Sequence, residues 1–142
     1  MWRAKFPMWA LMGFALLVGC SRGPRFNPVK GRVLWHGEPA AGARLIFHPL
    51  AETPGVPKPS ALVDENGYFH VGTYAPNDGA PAGEYIVTID WFDLASQTAS
   101  ADVGETPMST DKLKGRYADP KRSSLHVTIK QGENTLPPFE LK

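Results

Sequence analysis

The chain has 142 residues, enough for one domain with a single core, and its 14 glycines and 14 prolines suit a protein with many chain reversals. Its formal net charge of +1 provides no basic field, which argues against nucleic-acid binding. Cys20 is the sole cysteine, so an intramolecular disulfide is excluded and a thiolate metal site is disfavoured.

The first residues have the pattern of an export signal. Arg3 and Lys5 supply a positive start, and Phe6–Val18 is an apolar run of thirteen residues. A helix that spans a bilayer needs ~20 apolar residues, so this run is too short for a permanent anchor and is typical of a signal peptide. We therefore predict a signal peptide over residues 1–19 that is removed from the mature protein.

The run ends in Leu17-Val18-Gly19-Cys20, which resembles the lipobox of bacterial lipoproteins. In that family the cysteine thiol receives a diacylglyceryl group, cleavage falls between Gly19 and Cys20, and the new amino terminus is acylated. The resemblance implies a lipidated tether over residues 20–27, and Ser21 after the cysteine favours the outer over the inner membrane. The alternative is an uncleaved signal anchor in which the cysteine is incidental.

Two strands are predicted at the start of the mature domain. Pro28–Trp35 and Ala43–His48 each alternate apolar with polar residues, which is typical of half-buried strands. The segment His36–Pro39 is expected to reverse the chain between them. Pro49–Pro59 contains four prolines and is expected to be a surface loop.

The middle of the chain contains a predicted hairpin and the predicted central strand. Ser60–Thr73 has two strand segments joined at Asn66-Gly67, a pair that favours the positive φ of a hairpin turn. Tyr74–Gly83 is a predicted loop with a tight turn at Asp78-Gly79. In Pro81–Trp91 alternate residues are apolar and predict one buried face, namely Tyr85, Val87, Ile89 and Trp91.

Residues 92–124 have no clear periodicity and form a long predicted loop. Within it, Ala95–Thr106 is small and polar and is expected to be disordered. Leu113 and Tyr117 are expected to dock on the domain. The loop is either a partner-binding arm or a mobile connector.

Two strands are predicted to close the chain, Leu125–Lys130 and Thr135–Leu141, the second of them confined to a sheet edge by Pro137-Pro138. About seven short strands with a turn signal every ten residues or so predict an all-β fold, a two-sheet antiparallel sandwich over residues 28–142. An up-and-down barrel is the alternative topology.

Four motifs carry a family resemblance: Val29-Lys30-Gly31-Arg32-Val33, Gly37-Glu38-Pro39, Asp64-Glu65-Asn66-Gly67-Tyr68-Phe69 and Gly83-Glu84-Tyr85. They are similar to the carboxypeptidase regulatory-like, or transthyretin-like, module, an Ig-like β-sandwich. The segment Gly115-Arg116-Tyr117-Ala118-Asp119-Pro120 is similar to small planctomycete lipoproteins that carry this module alone. Most members of that group lack an assigned activity.

Aromatic rings are the first candidate binding residues. Tyr74, Trp91 and Phe92, together with Trp35, could stack on the flat faces of sugar rings, as in carbohydrate-binding β-sandwiches. Trp35 and Trp91 fall on predicted core faces, so packing in the core is the competing interpretation.

Metal binding has little support in the sequence. Asp64, Asn66 and Asp78 supply the oxygens of ordinary turns, whereas a calcium site needs six or more in a fixed pattern. The histidines are scattered singly and never at metal-ligand spacing, with the last three expected on exposed strand faces: His36, His48, His70 and His126.

Catalysis is not expected either. The transthyretin-like fold includes a purine-catabolism hydrolase, but its carboxy-terminal Tyr-Arg-Gly-Ser signature is absent here. We expect a non-catalytic envelope lipoprotein without cofactor or nucleic acid, bound to the membrane through Cys20, with an envelope protein or a glycan as partner.

Overall fold

The computed structural model describes residues 23–92 and 110–142, so the predictions for residues 1–22 and 95–106 lie outside it. The described part is all-β. Nothing in it has the length and apolar character of a membrane-spanning helix. Its strands are β1 (Phe26–Asn27), β2 (Val29–Trp35), β3 (Glu38–Pro39), β4 (Arg44–Pro49), β5 (Ser60–Leu62), β6 (Tyr68–His70), β7 (Ala80–Pro81), β8 (Gly83–Asp90), β9 (His126–Ile129), β10 (Asn134–Thr135) and β11 (Phe139–Leu141).

The strands form two main sheets. One is built around β2, which pairs antiparallel with β3 and β6 and parallel with β10 and β11. The other has the order β5-β4-β8-β9 and is antiparallel throughout. A short ladder joins β1 to β7. The sheets stay separate, so the predicted sandwich is confirmed and the barrel alternative is wrong.

The core lies between the two main sheets and is filled by alternate residues of their strands. Phe47 of β4 and Phe69 of β6 meet across it with ring centroids 6.4 Å apart, and Phe69 stacks on Phe139 of β11 at 6.1 Å. Phe47 and Phe69 are fully buried. Burying a phenylalanine side chain contributes ~1.5–3 kcal/mol, so these rings hold the sheets together.

The predicted central strand is confirmed as β8, which lies between β4 and β9 with its apolar face buried. Thr88, which alternates with the predicted buried face, is also buried and shares a 2.9 Å hydrogen bond with the ring of His48. His48 is therefore half-buried, and its prediction as a surface residue is wrong. Both side chains are shielded from solvent because they lie in the middle of the sheet's outer face, next to the side chains of neighbouring strands.

The predicted hairpin over Ser60–Thr73 is wrong in its middle. Its turn forms, with Gly67 at a φ of 85°, but β5 pairs with β4 while β6 pairs with β2. The two arms meet at their ends, where Ser60 bridges Gly72 and the Asp64 N–H donates to the carbonyl of residue 68. Both arms bury one face, so they spread around the rim of the core and each joins a different sheet.

The last predicted strand also changes sheets. After β9 the chain crosses to β2 in the other main sheet, where the N–H of Asn134 donates to the carbonyl of Pro28 at 2.8 Å. The strands β10 and β11 then run parallel to β2, interrupted by Pro137 and Pro138. The predicted edge position is confirmed, because β10 and β11 each pair with β2 and with no other strand of the described residues.

Two loop predictions have different outcomes. The tight turn lies at Pro76-Asn77 instead of Asp78-Gly79, because the Asp78 N–H donates to the carbonyl of residue 75 and Asn77 takes a φ of 65°. Docking of the long loop is confirmed: Leu113 is buried and Tyr117 packs against the core.

Gly31 supports the ring of Phe69, and β2 has no room for a side chain there. A Cβ at residue 31 would lie 2.5 Å from Cζ and 2.8 Å from Cε1 of that buried ring. We expect Gly31→Ala to lower the free energy of unfolding by ~1–3 kcal/mol, because the ring or the strand must shift. Urea denaturation of the purified domain measures the change.

Gly23→Ala is the matched control, since a Cβ at Gly23 meets nothing within 4 Å. A Gly31→Ala protein as stable as this control would contradict the close approach of Phe69 to β2.

Candidate functional site

A groove runs along the side of the sandwich where the facing edges of β5 and β6 separate. Its volume is about 540 Å³. We call it the lateral groove, and its walls are Arg44, Ser60–Leu62, Asp64, Tyr68–His70 and Gly72–Asn77.

Backbone hydrogen-bonding groups of Leu62 and His70 face the lateral groove. The strands are joined at both ends of the groove, and Leu62 and His70 lie opposite each other between those ends without a pairing in the described sheets. Their neighbours Val63 and Val71 donate in the other direction, to residues 43 and 29. Successive backbone groups of a strand point to opposite sides, so the N–H and C=O groups of Leu62 and His70 are directed toward the groove.

Exposed apolar side chains also line the lateral groove. Four large apolar or aromatic side chains of the described residues are exposed, and three of them line it: Leu62 at 66%, Tyr68 at 49% and Tyr74 at 61%. Exposed apolar side chains that cluster mark interaction sites more often than single ones do. His70 lies on the same walls, as does Arg44, whose guanidinium donates to both carboxylate oxygens of Asp90 at 3.1 and 3.2 Å. The groove can therefore offer flat apolar contact and hydrogen bonds to one ligand.

The Asp78 carboxylate orders one end of the lateral groove. It accepts hydrogen bonds from the backbone N–H groups of Thr73, Tyr74 and Ala75, the last two at 3.0 Å. Partial burial raises the pKa of Asp78, but the bonds from Thr73, Ala75 and Tyr74 lower it by more, so the pKa lies below its ordinary value. The charged carboxylate therefore holds the backbone that carries the Tyr74 ring.

We expect Asp78→Asn to destabilise the protein at neutral pH and to reduce its loss of stability in acid. A carboxyl with a lowered folded-state pKa contributes stability above the unfolded-state pKa. The contribution disappears in the acid range below the unfolded-state pKa, as pH falls through the lowered value. Urea midpoints across this range test it. The exposed Glu65→Gln is the control, and an identical pH profile for both variants would refute the role of Asp78.

The fold does not bring the predicted ligand-facing residues Tyr74, Trp91 and Phe92 together on one surface. Trp91 is 8% exposed, its indole N–H donates to the Ala41 carbonyl at 2.8 Å, and its ring meets Trp35 edge-on at 5.6 Å. A ligand-facing role for Trp91 does not fit this burial, which agrees with packing in the core. Phe92 follows it and is half-buried, whereas Tyr74 lies near the other end of β8, an eight-residue strand ~26 Å long.

The other candidate residues have local roles or stand apart. Asp64 accepts hydrogen bonds from the N–H groups of Asn66 and Tyr68, which is the turn role predicted for it. His70 and His126 are exposed, as predicted. No group of three or more His, Cys, Asp or Glu residues within 23–92 and 110–142 is placed to hold a metal ion.

Sequence reasoning missed Leu62 and Tyr68 as members of a site. Their signal was present, because both alternate with buried residues and so must face outward. Large apolar residues on an outward face mark a candidate contact surface. The sequence did not reveal that β5 and β6 diverge and leave a groove between them.

The point where the chain joins the sandwich is rigid. Phe26 pairs with Pro81 and meets the Tyr74 ring edge-on at 5.6 Å. The side chain of Asn27 is buried, donates to the Ala80 carbonyl at 3.2 Å and accepts the N–H of residue 132 at 2.9 Å. Phe26 and Asn27 therefore lie at one end of the sandwich, which we call the amino-terminal end.

No family model and no curated protein matches the chain. The solved structures that resemble it include the following two. One is a 9R-lipoxygenase from Cyanothece PCC8801, with 16% identity and a TM-score of 0.43, covering 82% of this chain and 16% of that chain. The other is a DUF3823 family protein from Parabacteroides merdae ATCC 43184, with 14% identity and a TM-score of 0.41, covering 83% of this chain and 46% of that chain. The chain thus spans less than half the length of either protein.

Proposed function

We propose that this chain is a membrane-anchored lipoprotein of the cell envelope whose β-sandwich is a non-catalytic binding or structural module. Cys20 carries the lipid in this proposal, and Ser21 favours the outer membrane. The pairing of Phe26 with Pro81 supports a short tether, because only residues 21–25 separate the modified cysteine from the first strand. The sequence motifs further suggest a carboxypeptidase regulatory-like module of the type found in planctomycete lipoproteins.

The binding part of the proposal rests on the lateral groove. The exposure of Leu62, Tyr68 and Tyr74 along its walls is the observation that carries it. The groove belongs to a rigid scaffold, and the Asp64 carboxylate on its wall is engaged by the backbone of its own turn. A partner in the envelope would lie along the groove and use both the apolar rings and the backbone groups of Leu62 and His70 that face it.

The lipid anchor is tested by Cys20→Ala. Without the thiol there is no acceptor for the diacylglyceryl group, so we expect an unprocessed precursor in place of a mature chain that begins at residue 20. Mass spectrometry of the exported protein detects both the start and the fatty acids. Ser21→Ala is the control and should still be processed; normal cleavage and membrane release of the Cys20→Ala chain would reject the anchor.

The binding role is tested with a photo-crosslinking amino acid placed in living cells at Leu62, with His126 as the control position. Leu62 lies on the groove strand β5, whereas His126 lies on β9, the opposite edge of the same sheet, and both are exposed. We expect a discrete adduct from position 62 that position 126 does not give. The adduct should weaken on Tyr68→Ser, and equal labelling at the two positions would contradict a site in the groove.

A carbohydrate module is the second candidate function, favoured by the two tyrosine rings on one groove. Stacking on aromatic faces holds sugar rings in such modules. In this case envelope glycans would bind the purified domain with a heat of binding that Tyr68→Ala and Tyr74→Ala abolish, and position 62 would give no protein adduct.

A further inference from the structure

The amino-terminal end of the sandwich carries an apolar surface formed by Phe26, Leu50 and Tyr74, the last of which also lines one end of the lateral groove. Leu50 is 57% exposed and is the fourth large exposed apolar side chain of the described residues. Its backbone N–H is fixed to the carbonyl of Glu84 at 2.9 Å, beside the start of β8. The Tyr74 hydroxyl donates to Gly55 at 3.1 Å, on the loop that Leu50 begins. We call these three residues the amino-terminal surface.

The short chain between Cys20 and Phe26 limits how far the amino-terminal surface can lie from the bilayer. In the proposed function, on which this inference rests, Cys20 carries the acyl chains. Six residue steps separate Cys20 from Phe26, and a fully extended chain covers at most ~20 Å over that length. Phe26 is held in the ladder with β7 and against Tyr74, so the end of the sandwich cannot move away from the attachment point independently. The amino-terminal end must therefore stay near the bilayer.

We infer that the amino-terminal surface rests on the lipid bilayer, with Leu50 and Tyr74 in its interfacial region. A leucine can bury its side chain among acyl chains, and a tyrosine suits the interface because its ring is apolar and its hydroxyl polar. The loop from residue 50 to residue 59 contains Glu52 and Lys58, so its formal charge cancels. Contact of this loop with lipid would then depend on apolar burial.

This placement orients the whole domain. The strand β8 begins at the bilayer and ends ~26 Å farther out, so the turn at Asp64–Gly67 and the buried Trp91 lie at the membrane-distal end. The lateral groove extends from Tyr74 near the bilayer to Tyr68 at the distal end. A ligand in the groove would lie roughly along the membrane normal.

The test uses the mature lipidated protein with one added cysteine for a fluorescent label. Lipidation consumes the thiol of Cys20, so the added cysteine is the free thiol that reacts. Thr53→Cys places the label on the loop of Leu50, and Glu65→Cys places it at the distal turn. The labelled proteins are reconstituted in phosphatidylcholine vesicles that contain lipids with a nitroxide on the acyl chain.

We expect several-fold greater quenching at position 53 than at position 65. Adding Leu50→Ser to the Thr53→Cys protein should reduce the quenching, whereas Leu62→Ser, which removes a comparably exposed leucine from the side of the sandwich, should not. Equal quenching at positions 53 and 65, or no effect of Leu50→Ser, would overturn the inference and indicate that the surface faces water or a protein.

The failure of the anchor itself has a different signature. A mature chain without fatty acids, or with a reactive thiol at Cys20, would reject the proposed function and this inference together, and mass spectrometry before reconstitution detects it. A correctly acylated chain without preferential quenching at position 53 would reject the orientation alone.

Discussion

The burial of Phe47 and Phe69 between the two sheets is the contact on which the rest of the structure depends. Phe69 fits because Gly31 leaves its space open on β2, and it stacks in turn on Phe139 from the last strand. Strands that bury one face each must be arranged on both sides of these rings. The segment Ser60–Thr73 therefore spreads around the rim of the core, and the lateral groove is a direct consequence of that spreading.

The two ends of the sandwich differ in how many of their polar and apolar groups have partners within the domain. At the end of the sandwich where β8 finishes, Asp111 accepts the N–H groups of Trp91, Leu113 and Gly115, which ties the returning loop to the end of β8. The Lys112 ammonium lies 4.6 Å from the centre of the Trp91 ring. The Trp91 ring and the backbone N–H groups of residues 91, 113 and 115 are thus engaged internally at this end. The amino-terminal end leaves Leu50 and Tyr74 exposed, which makes it the end suited to contact with another apolar phase.

A candidate site of this kind is only partly readable in a sequence. Tyr74 could be selected because a large aromatic residue in a loop rich in proline and glycine has no predicted core position. Leu62 and Tyr68 could be placed on outward faces by alternation, but nothing local showed that they lie on opposite walls of one groove. Trp91 was ambiguous, because both a platform and a core need large apolar residues at the same spacing.

From the sequence alone follow the strand segments, the buried face of β8, the turn at Asn66-Gly67 and the all-β class, because alternation and turn chemistry are local properties of the chain. Only the tertiary structure decided which sheet each strand joins, that β10 and β11 run parallel to β2, and that β5 and β6 separate. These outcomes depend on hydrogen bonds between residues far apart in the chain, and the same alternation is compatible with many pairings. The alternation of side chains along a strand determines which of its faces is buried. Which strand it pairs with is determined by the packing of the whole core.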